Sequence, residues 1–333
     1  MNSKVVMERR RLGKNGPEVS TIGLGCMSLS GVYGKSDDAA GVALIHRALE
    51  LGVDHFDSSD MYGWGQNEEL LGRALKGRRD GVVIATKFGQ TRRPGGANGV
   101  DGSPVYVAQA CEASLKRLGV DVIDLYYQHR VDPAVPVEDT VGAMARLVEQ
   151  GKVRYLGLCE ARPERIRRAH QTHPIAAVQS EFSLLYREEA TETRELTRDL
   201  GISFVAYAPL GRSLLAGVVP DFDNLAEGDT RGRHPRFMGD NFAKNRALVG
   251  RIEAIAHEKG CTPAQLVLAW LLAQGPDVIP IPGTKHISRL EENLGAVKVS
   301  LTSADINRIS TAIPIGAAAG TRYPEGGMRG VYI

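Results

Sequence analysis

Residues 153–181 have the sequence VRYLGLCEARPERIRRAHQTHPIAAVQSE, which contains one strand–helix–strand unit. Residues 153–159 and 176–181 are short apolar runs, and continuous runs of this length are typical of parallel strands buried on both faces. Residues 163–173, which lie between them, have the spacing of an amphipathic helix. The segment therefore predicts two parallel strands joined by a helix.

The same alternation continues along the whole chain. Six further apolar runs are predicted strands, at residues 21–27, 55–58, 82–87, 122–129, 202–208 and 278–282. Six further stretches have helical period, at residues 38–52, 68–75, 105–118, 137–150, 188–200 and 245–259. Several helices end at a glycine where a C-cap is expected, namely Gly52, Gly119, Gly151, Gly201 and Gly260. Eight strands alternating with helices predict a closed (β/α)8 TIM barrel or a long open doubly wound sheet.

A leading β-hairpin is predicted within residues 7–22, around the turn-rich tetrapeptide Gly13-Lys14-Asn15-Gly16. Three long segments are rich in glycine and proline, at residues 89–104, 211–242 and 314–333, the last being a C-terminal tail. Loops of this length are usually functional lids or disordered. Two of them follow strands, which would place them on the catalytic face of a barrel. No domain linker is visible, so residues 1–333 are predicted to form one domain.

Composition and charge exclude several classes of partner. The chain has 333 residues with 41 Lys and Arg against 39 Asp and Glu, a net charge of +2, which is too small to favour nucleic acid or an anionic membrane. The four cysteines, Cys26, Cys111, Cys159 and Cys261, form no C-x-x-C pair, which favours a reducing compartment over a zinc site or disulfides. No stretch approaches 18 apolar residues, so we expect a cytoplasmic protein without a membrane span. The sequence does not distinguish a monomer from a homo-oligomer.

Polar residues follow the carboxyl ends of three consecutive predicted strands, which is where the active sites of barrel enzymes lie. Asp57 ends the second strand and Tyr62 follows it five residues later. Lys87 ends the third strand and His129 ends the fourth. Each residue alone is typical of a loop or of the solvated surface. Together, on neighbouring strands, they predict a catalytic site.

At these residues the chain resembles the aldo-keto reductase family. Residues 56–63, FDSSDMYG, are similar to the Asp/Tyr signature of that family, and residues 67–72, NEELLG, to the helix that follows it. Further matches occur in the family's order: Thr86-Lys87, Gln128-His129, GLCE at 157–160, Gln179, YAPLG at 207–211, and Gly283-Thr284-Lys285 with Arg289, Glu292 and Asn293. The resemblance covers residues 7–313 and is strongest to the microbial and plant branch of pyridoxal reductase-like and perakine reductase-like enzymes. It implies a barrel that reduces an aldehyde or ketone with NADPH.

The chemistry of carbonyl reduction requires these residue types. A hydride delivered to a carbonyl carbon leaves an alkoxide, which needs a proton donor. A tyrosine with its ordinary pKa of about 10 is a slow acid at neutral pH, and a neighbouring ammonium lowers that pKa. Tyr62 is therefore the predicted general acid, Lys87 the group that lowers its pKa, and Asp57 the partner of Lys87. His129 is predicted to donate a hydrogen bond to the substrate oxygen and to orient it.

A Rossmann fold is disfavoured, because residues 23–28, GLGCMS, lack the third glycine of its G-x-G-x-x-G fingerprint. The chain also has no P-loop. Barrels hold phosphates with late loops and a helix N-terminus. The resemblance implies that Tyr207 stacks on the nicotinamide and that Gln179 binds its carboxamide. It also implies contacts from Leu210, Gly211 and Arg212 to the pyrophosphate, from Gly283, Thr284, Lys285 and Arg289 to the 2′-phosphate, and from Glu292 and Asn293 near the adenine. The cations at the 2′-phosphate favour NADPH over NADH.

Cys159 departs from the family pattern, since many relatives carry Ser or Asn there to contact the carboxamide, and a thiol is a weaker partner. Either Glu160 or Gln179 makes the hydrogen bond to the nicotinamide carboxamide here, or the contact at this position is weaker. The substrate pocket is predicted to be lined by the long loops and by four further residues: Met27, Trp64, Phe88 and Tyr127. Aromatic and Met side chains make an adaptable apolar wall, which favours a moderately large apolar carbonyl. Aromatic aldehydes and terpenoid, alkaloid, sugar-like or xenobiotic ketones fit that description.

Three alternatives stay open at this point. Because the reaction is reversible, the physiological direction can be oxidation of an alcohol with NADP+. The chain can also be an NADPH-bound regulatory subunit like the potassium-channel β-subunits, although only six residues precede Met7 where those proteins have a long segment. A metal-dependent hydrolase on the same barrel is disfavoured, because His170-x-x-His173 lies in a predicted helix without an obvious third ligand.

Overall fold

The computed structural model describes residues 7–92, 98–217 and 225–333. Its strands, β1 to β12 in chain order, are Arg9–Arg11, Glu18–Ser20, Leu24–Gly25, His55–Asp57, Val83–Phe88, Gln90–Arg92, Asn98–Val100, Ile123–Gln128, Val153–Cys159, Ile175–Glu181, Ser203–Tyr207 and Val278–Pro280. Its α-helices, α1 to α11, are Asp38–Glu50, Gln66–Leu75, Pro104–Leu118, Val137–Glu149, Pro163–Thr172, Glu188–Leu200, Gly239–Glu258, Pro263–Leu272, Ile287–Leu294, Ser303–Ala312 and Glu325–Met328.

Eight strands form one parallel sheet in the order β3, β4, β5, β8, β9, β10, β11 and β12, and these are the eight predicted strands. The two ends of the sheet meet, because Gly25 forms a parallel bridge with Gly283. A Cβ atom on Gly25 would lie 2.7 Å from the carbonyl oxygen of Ile281, so this approach requires glycine. The predicted (β/α)8 barrel is confirmed, and the open doubly wound sheet is excluded.

The limits of the helices follow from local sequence, as α3 illustrates. The Ser103 hydroxyl accepts a hydrogen bond from the backbone N–H of Tyr106, and Pro104 occupies the first turn. Gly119 ends the helix with a φ of 66°, which is the left-handed conformation that glycine adopts readily. The predicted C-cap at this position is therefore confirmed.

The leading hairpin closes the amino end of the barrel. Strands β1 and β2 pair antiparallel, as predicted, with Arg9 opposite Ser20. Leu12 and Val19 are fully buried and pack inside the barrel against residues such as Leu125. Because this end is plugged, the carboxyl ends of the strands are the open face of the barrel.

Helix α8 was not predicted from the sequence. Residues 263–272, PAQLVLAWLL, are apolar on nearly every side, and seven of the ten are buried. A helix that is buried all round has no amphipathic period to recognise. Within the described ranges, no helix combines the length and the apolar character needed to cross a bilayer.

The long segments contain regular secondary structure in their described parts. Strands β6 and β7 form an antiparallel hairpin within residues 89–104, where the sequence predicted a loop. Helix α7 begins at Gly239, six residues before its predicted start, and the tail contains the short helix α11. Residues 93–97 and 218–224, which belong to two of the predicted long loops, lie outside the described residues.

Candidate active site

The barrel brings the four predicted catalytic residues together at its open face. Asp57 ends β4, Lys87 is the penultimate residue of β5, and His129 directly follows β8. Tyr62 lies in a short 3-10 turn after β4. The Lys87 Nζ atom is 2.5 Å from Asp57 Oδ1 and 3.3 Å from the Tyr62 hydroxyl. The rings of Tyr62 and His129 meet edge to face, with centroids 5.8 Å apart.

Lys87 has no exposed surface, and its ammonium is held by three acceptors. Besides Asp57 and Tyr62, the carbonyl oxygen of Ser58 accepts a hydrogen bond from Nζ at 2.7 Å. Burial acts to lower the pKa of Lys87, but Asp57 and then Tyr62 outweigh it and raise that pKa above its ordinary value. Lys87 is therefore a fixed positive charge beside the Tyr62 hydroxyl.

The pKa of Tyr62 lies above its ordinary value, whereas the sequence predicted that it would lie below. Lys87 lowers the pKa of Tyr62, as anticipated, but burial raises it more strongly, and the pKa rises to about 12. Burial disfavours the charged phenolate, and the Asp57 carboxylate acts in the same direction. Tyr62 consequently keeps its proton throughout the neutral pH range, which suits a proton donor.

His129 is neutral in this site. Burial, Arg130 and Lys87 together hold the pKa of His129 well below its ordinary value. The backbone N–H of His129 donates to the carbonyl oxygen of Phe88 at 2.7 Å, which fixes the residue at the barrel rim. Its Nδ1 atom lies 3.0 Å from the hydroxyl of Ser59, a contact that the sequence analysis did not anticipate.

Gln179 contacts the catalytic carboxylate. Its Nε2 atom donates a hydrogen bond to Asp57 Oδ2 at 2.7 Å, so both oxygens of Asp57 have a partner.

Cys159 is buried nearby, and burial raises the pKa of its thiol to about 12. The thiol is therefore protonated and unreactive at neutral pH. A carboxamide contact from Gln179 or from Cys159 stays a prediction.

Tyr207, the predicted stacking residue, lies at the end of β11 and is held by its hydroxyl. That hydroxyl donates to Glu160 Oε1 at 2.7 Å and lies 3.0 Å from the hydroxyl of Tyr323 in the C-terminal tail. Arg322 forms an ion pair with Glu160 at 2.8 Å, and both side chains are buried. Glu160, together with Arg322 and Tyr323 from outside the predicted site, thus holds the outer end of the Tyr207 side chain in place.

The residues predicted to surround the 2′-phosphate lie at the start of α9. His286 occupies the N-cap without a side-chain capping bond, so the helix leaves backbone N–H groups free for an anion. Lys285 Nζ donates to the carbonyl oxygens of residues 33, 34 and 35 at 3.0, 3.3 and 2.9 Å. Arg289 forms an exposed ion pair with Glu292 at 2.6 Å. An uncapped helix start flanked by two cations fits a phosphomonoester.

The remaining predicted cofactor residues lie in two groups on the same face. Gly283 and Thr284 precede α9 and Asn293 is its penultimate residue, and Thr284 and Asn293 are buried. Leu210, Gly211 and Arg212 follow β11. Arg212 is nearly buried and forms an ion pair with Glu181 at 3.3 Å. An arginine placed after the strand that carries Tyr207 is a suitable cation for a pyrophosphate.

The four predicted pocket residues fall into two groups. Trp64 is 39% exposed at the barrel rim, and the guanidinium of Arg92 lies 4.4 Å from the centre of its ring. Met27 is half-buried. Phe88 and Tyr127 have no exposed surface, since Phe88 packs on Tyr126 and Tyr127 lies inside the barrel. The structure therefore places only Trp64 and Met27 where a substrate could touch them.

The two histidines considered as metal ligands are used locally. His170 Nδ1 accepts a hydrogen bond from the backbone N–H of Ile175 at 3.1 Å, and His173 Nδ1 lies 3.0 Å from the carbonyl oxygen of Pro174. Within residues 7–92, 98–217 and 225–333, no three His, Cys, Asp or Glu side chains form a group that could hold a metal ion.

Comparison with known proteins identifies relatives of this chain. The model of the Aldo/keto reductase family matches residues 21–314. The chain is 48% identical over 320 residues to "Probable aldo-keto reductase 1" of Glycine max, an alignment that covers 95% of this chain and 92% of the relative. It is 46% identical over 323 residues to "Aldo-keto reductase yakc [NADP(+)]" of Schizosaccharomyces pombe, covering 95% and 94%.

Solved structures agree with this relationship. The glycerol dehydrogenase AKR11B4 from Gluconobacter oxydans is 27% identical and has a TM-score of 0.83, with 94% of this chain and 95% of that chain covered. The holo form of aldo-keto reductase AKR11C1 from Bacillus halodurans is 28% identical, has a TM-score of 0.78, and covers 95% and 98%.

Proposed function

The chain belongs to the aldo-keto reductase family, and on that basis we propose that it reduces an aldehyde or ketone to the alcohol with NADPH, with Tyr62 as the general acid. The observation that carries the proposal is the chain of contacts from Asp57 through Lys87 to the Tyr62 hydroxyl, at 2.5 and 3.3 Å. It places a protonated tyrosine, supported by a fixed ammonium, at the open end of the barrel.

When bound, NADPH supplies the hydride that reduces the carbonyl carbon. As the carbon–oxygen π bond breaks, its electron pair moves to the oxygen, which takes the proton of the Tyr62 hydroxyl. The product is an alcohol, and the phenolate of Tyr62 is stabilised by the adjacent Lys87 ammonium until water restores the proton. Asp57 holds Lys87 in place, and His129 donates a hydrogen bond to the carbonyl oxygen and orients it.

The chain's own residues fit NADPH. The Tyr207 side chain, proposed to stack on the nicotinamide, is held at its outer end, since Glu160 and Tyr323 contact its hydroxyl. Lys285 and Arg289 at the uncapped start of α9 supply the positive charge that a 2′-phosphate requires. The name of the fission yeast relative includes NADP(+), which supports the same cofactor.

The proposed substrate is a moderately large apolar carbonyl compound. The support is Trp64 at the barrel rim, because this residue is 39% exposed and its indole, next to the catalytic tyrosine, offers an apolar surface to a substrate. Oxidation of an alcohol by NADP+ is the second candidate. It is favoured by the likeness to a glycerol dehydrogenase, and the same residues serve both directions.

A panel of aldehydes, ketones and secondary alcohols, assayed with NADPH or NADP+, tests the proposal. We expect oxidation of NADPH with aromatic aldehydes and with bulky ketones, and weaker activity with small polar carbonyls. Preference for the small polar compounds would contradict the substrate class. Absence of turnover with every carbonyl and every alcohol would contradict the enzyme function.

A further inference from the structure

Ser59 lies directly behind His129 in the active site. Its hydroxyl is 3.0 Å from His129 Nδ1, and both residues are buried. Nδ1 therefore faces the protein, which leaves Nε2 as the ring nitrogen available to a substrate. Ser59 thus contacts the one nitrogen of His129 that takes no part in binding the carbonyl.

The identity of the hydrogen-bond donor in this contact decides what His129 can do. A neutral imidazole carries a proton on one nitrogen only. If Ser59 donates to Nδ1, the proton of His129 is on Nε2, which can donate to a carbonyl oxygen. If His129 Nδ1 donates to Ser59 instead, Nε2 carries a lone pair and repels that oxygen.

Two contacts around Ser59 compete for its single hydroxyl proton. The Asp60 Oδ1 atom is an alternative acceptor at 3.3 Å, which is 0.3 Å longer than the contact with His129 at 3.0 Å. The backbone N–H of Met61 donates to the Ser59 oxygen at 3.4 Å, so one hydrogen bond accepted by Ser59 is already made. The geometry thus favours donation from Ser59 to His129.

We propose that Ser59 is a positioning residue that holds His129 in the Nε2–H tautomer, so that His129 can donate to the substrate carbonyl. The inference rests on the proposed function of carbonyl reduction for its kinetic consequence. The tautomer itself is a property of the free enzyme, and it can be measured without turnover.

The direct test is a long-range 1H–15N spectrum of the imidazole groups in 15N-histidine-labelled full-length protein. The signals of His129 are assigned by their loss in His129→Asn. We expect the Nε2–H pattern in the wild type and in Ser59→Thr, which keeps the hydroxyl. In Ser59→Ala we expect the Nδ1–H pattern to appear. If the wild type shows the Nδ1–H tautomer, or if Ser59→Ala keeps the Nε2–H pattern, the inference is wrong.

Kinetics supply the second readout. Loss of the donor should lower kcat for carbonyl reduction about tenfold in Ser59→Ala, the size expected for one hydrogen bond, while the KM for NADPH stays unchanged. Ser59→Thr, which keeps the hydroxyl group, should restore kcat. If the extra methyl group of threonine prevents folding, Ser59→Cys is measured in place of Ser59→Thr. Equal kcat in Ser59→Ala and the wild type would overturn the inference.

The matched control is Ser180→Ala. Ser180 is a buried serine on β10 whose hydroxyl has no partner within the described residues, so we expect wild-type kcat and an unchanged His129 spectrum. A fall in kcat there equal to that of Ser59→Ala would overturn the inference, since any buried serine would then have the same effect. A wild type that shows the Nε2–H tautomer but reduces no carbonyl would instead contradict the proposed function, and the tautomer assignment would stand.

Discussion

Arg322 in the C-terminal tail forms a two-pronged ion pair with Glu160, which directly follows β9, with distances of 2.8 and 3.1 Å. Only 2% and 1% of the two side chains are exposed. The same Glu160 accepts a hydrogen bond from the hydroxyl of Tyr207 at 2.7 Å. A residue from the last part of the chain therefore helps to hold the ring proposed to stack on the nicotinamide.

Arg322→Ala should destabilise the protein strongly. The substitution leaves the buried Glu160 carboxylate without its main counter-charge, which typically costs about 3–5 kcal/mol. We also expect weaker NADPH binding, because Glu160, the hydrogen-bond partner of the Tyr207 hydroxyl, is no longer held by Arg322. Equilibrium unfolding in urea measures the first effect. A loss below about 1 kcal/mol would contradict the structural role of the pair.

The control is Arg308→Ala, which removes the exposed ion pair with Glu258 and should destabilise the protein far less than Arg322→Ala does. The loss of free energy of unfolding caused by Arg322→Ala should also depend on pH. Burial acts to raise the pKa of Glu160, but Arg322 and Arg130 lower it below its ordinary value. A lowered pKa stabilises the fold above the unfolded pKa of about 4.3, and this contribution is lost as pH falls through the folded pKa.

Lys285→Ala combined with Arg289→Ala should raise the KM for NADPH at least about tenfold and leave the KM for NADH nearly unchanged. The reason is that each charge-assisted hydrogen bond to a phosphate contributes about 1.5–3 kcal/mol, and NADH lacks the 2′-phosphate. Initial rates with both cofactors measure the effect. Lys298→Ala with Arg308→Ala removes two exposed cations elsewhere and is the control. An equal change for both cofactors would exclude the 2′-phosphate assignment.

Asp60 should give carbonyl reduction a pH dependence near neutrality. Burial, followed by the Glu68 carboxylate, raises the pKa of Asp60 to about 7, against the opposing charge of Arg117. Tyr106 and Tyr126 also face it, but they stay protonated because burial raises the pKa of each.

Below pH 7 the neutral Asp60 carboxyl group is a weaker acceptor for the hydroxyl proton of Ser59 than the carboxylate is. Above pH 7 the carboxylate competes with His129 for that proton, so kcat for reduction should fall as pH rises through about 7. Asp60→Asn removes the titration and should flatten the profile between pH 6 and pH 8 (about one unit on each side of the pKa). A fall of the same size in Asp60→Asn would assign the pH dependence to another group.

Much of the fold could be predicted because the strands are continuous apolar runs. All eight barrel strands were located from such runs, seven helices from their helical period, and the leading hairpin from its turn-rich tetrapeptide. Helix α8 was missed because its surface is buried on nearly every side, so that no polar face marks its period. The hairpin of β6 and β7 lies in a segment rich in glycine and proline, where composition predicts a loop.

The site was predictable only where chemistry and strand position coincide. Asp57, Tyr62, Lys87 and His129 were found because each lies at or shortly after the carboxyl end of a strand, and the structure brings them together. Arg322 pairs with a residue 162 positions earlier, and no sequence pattern links the two. Ser59 was visible inside the FDSSDMYG motif, but only its distance from His129 gives it a role. The net pKa of Tyr62 depends on burial, which the sequence does not reveal.

Tyr62→Phe is the most direct test of the central claim that Tyr62 donates the proton in carbonyl reduction. Turnover of an active aldehyde should fall at least about 100-fold, the usual contribution of a general acid, while quenching of NADPH fluorescence stays intact. Tyr126→Phe is the control, since the Tyr126 hydroxyl is buried without a partner in the described part of the chain and its loss should leave turnover unchanged. Turnover in Tyr62→Phe close to that of the wild type would contradict the assignment.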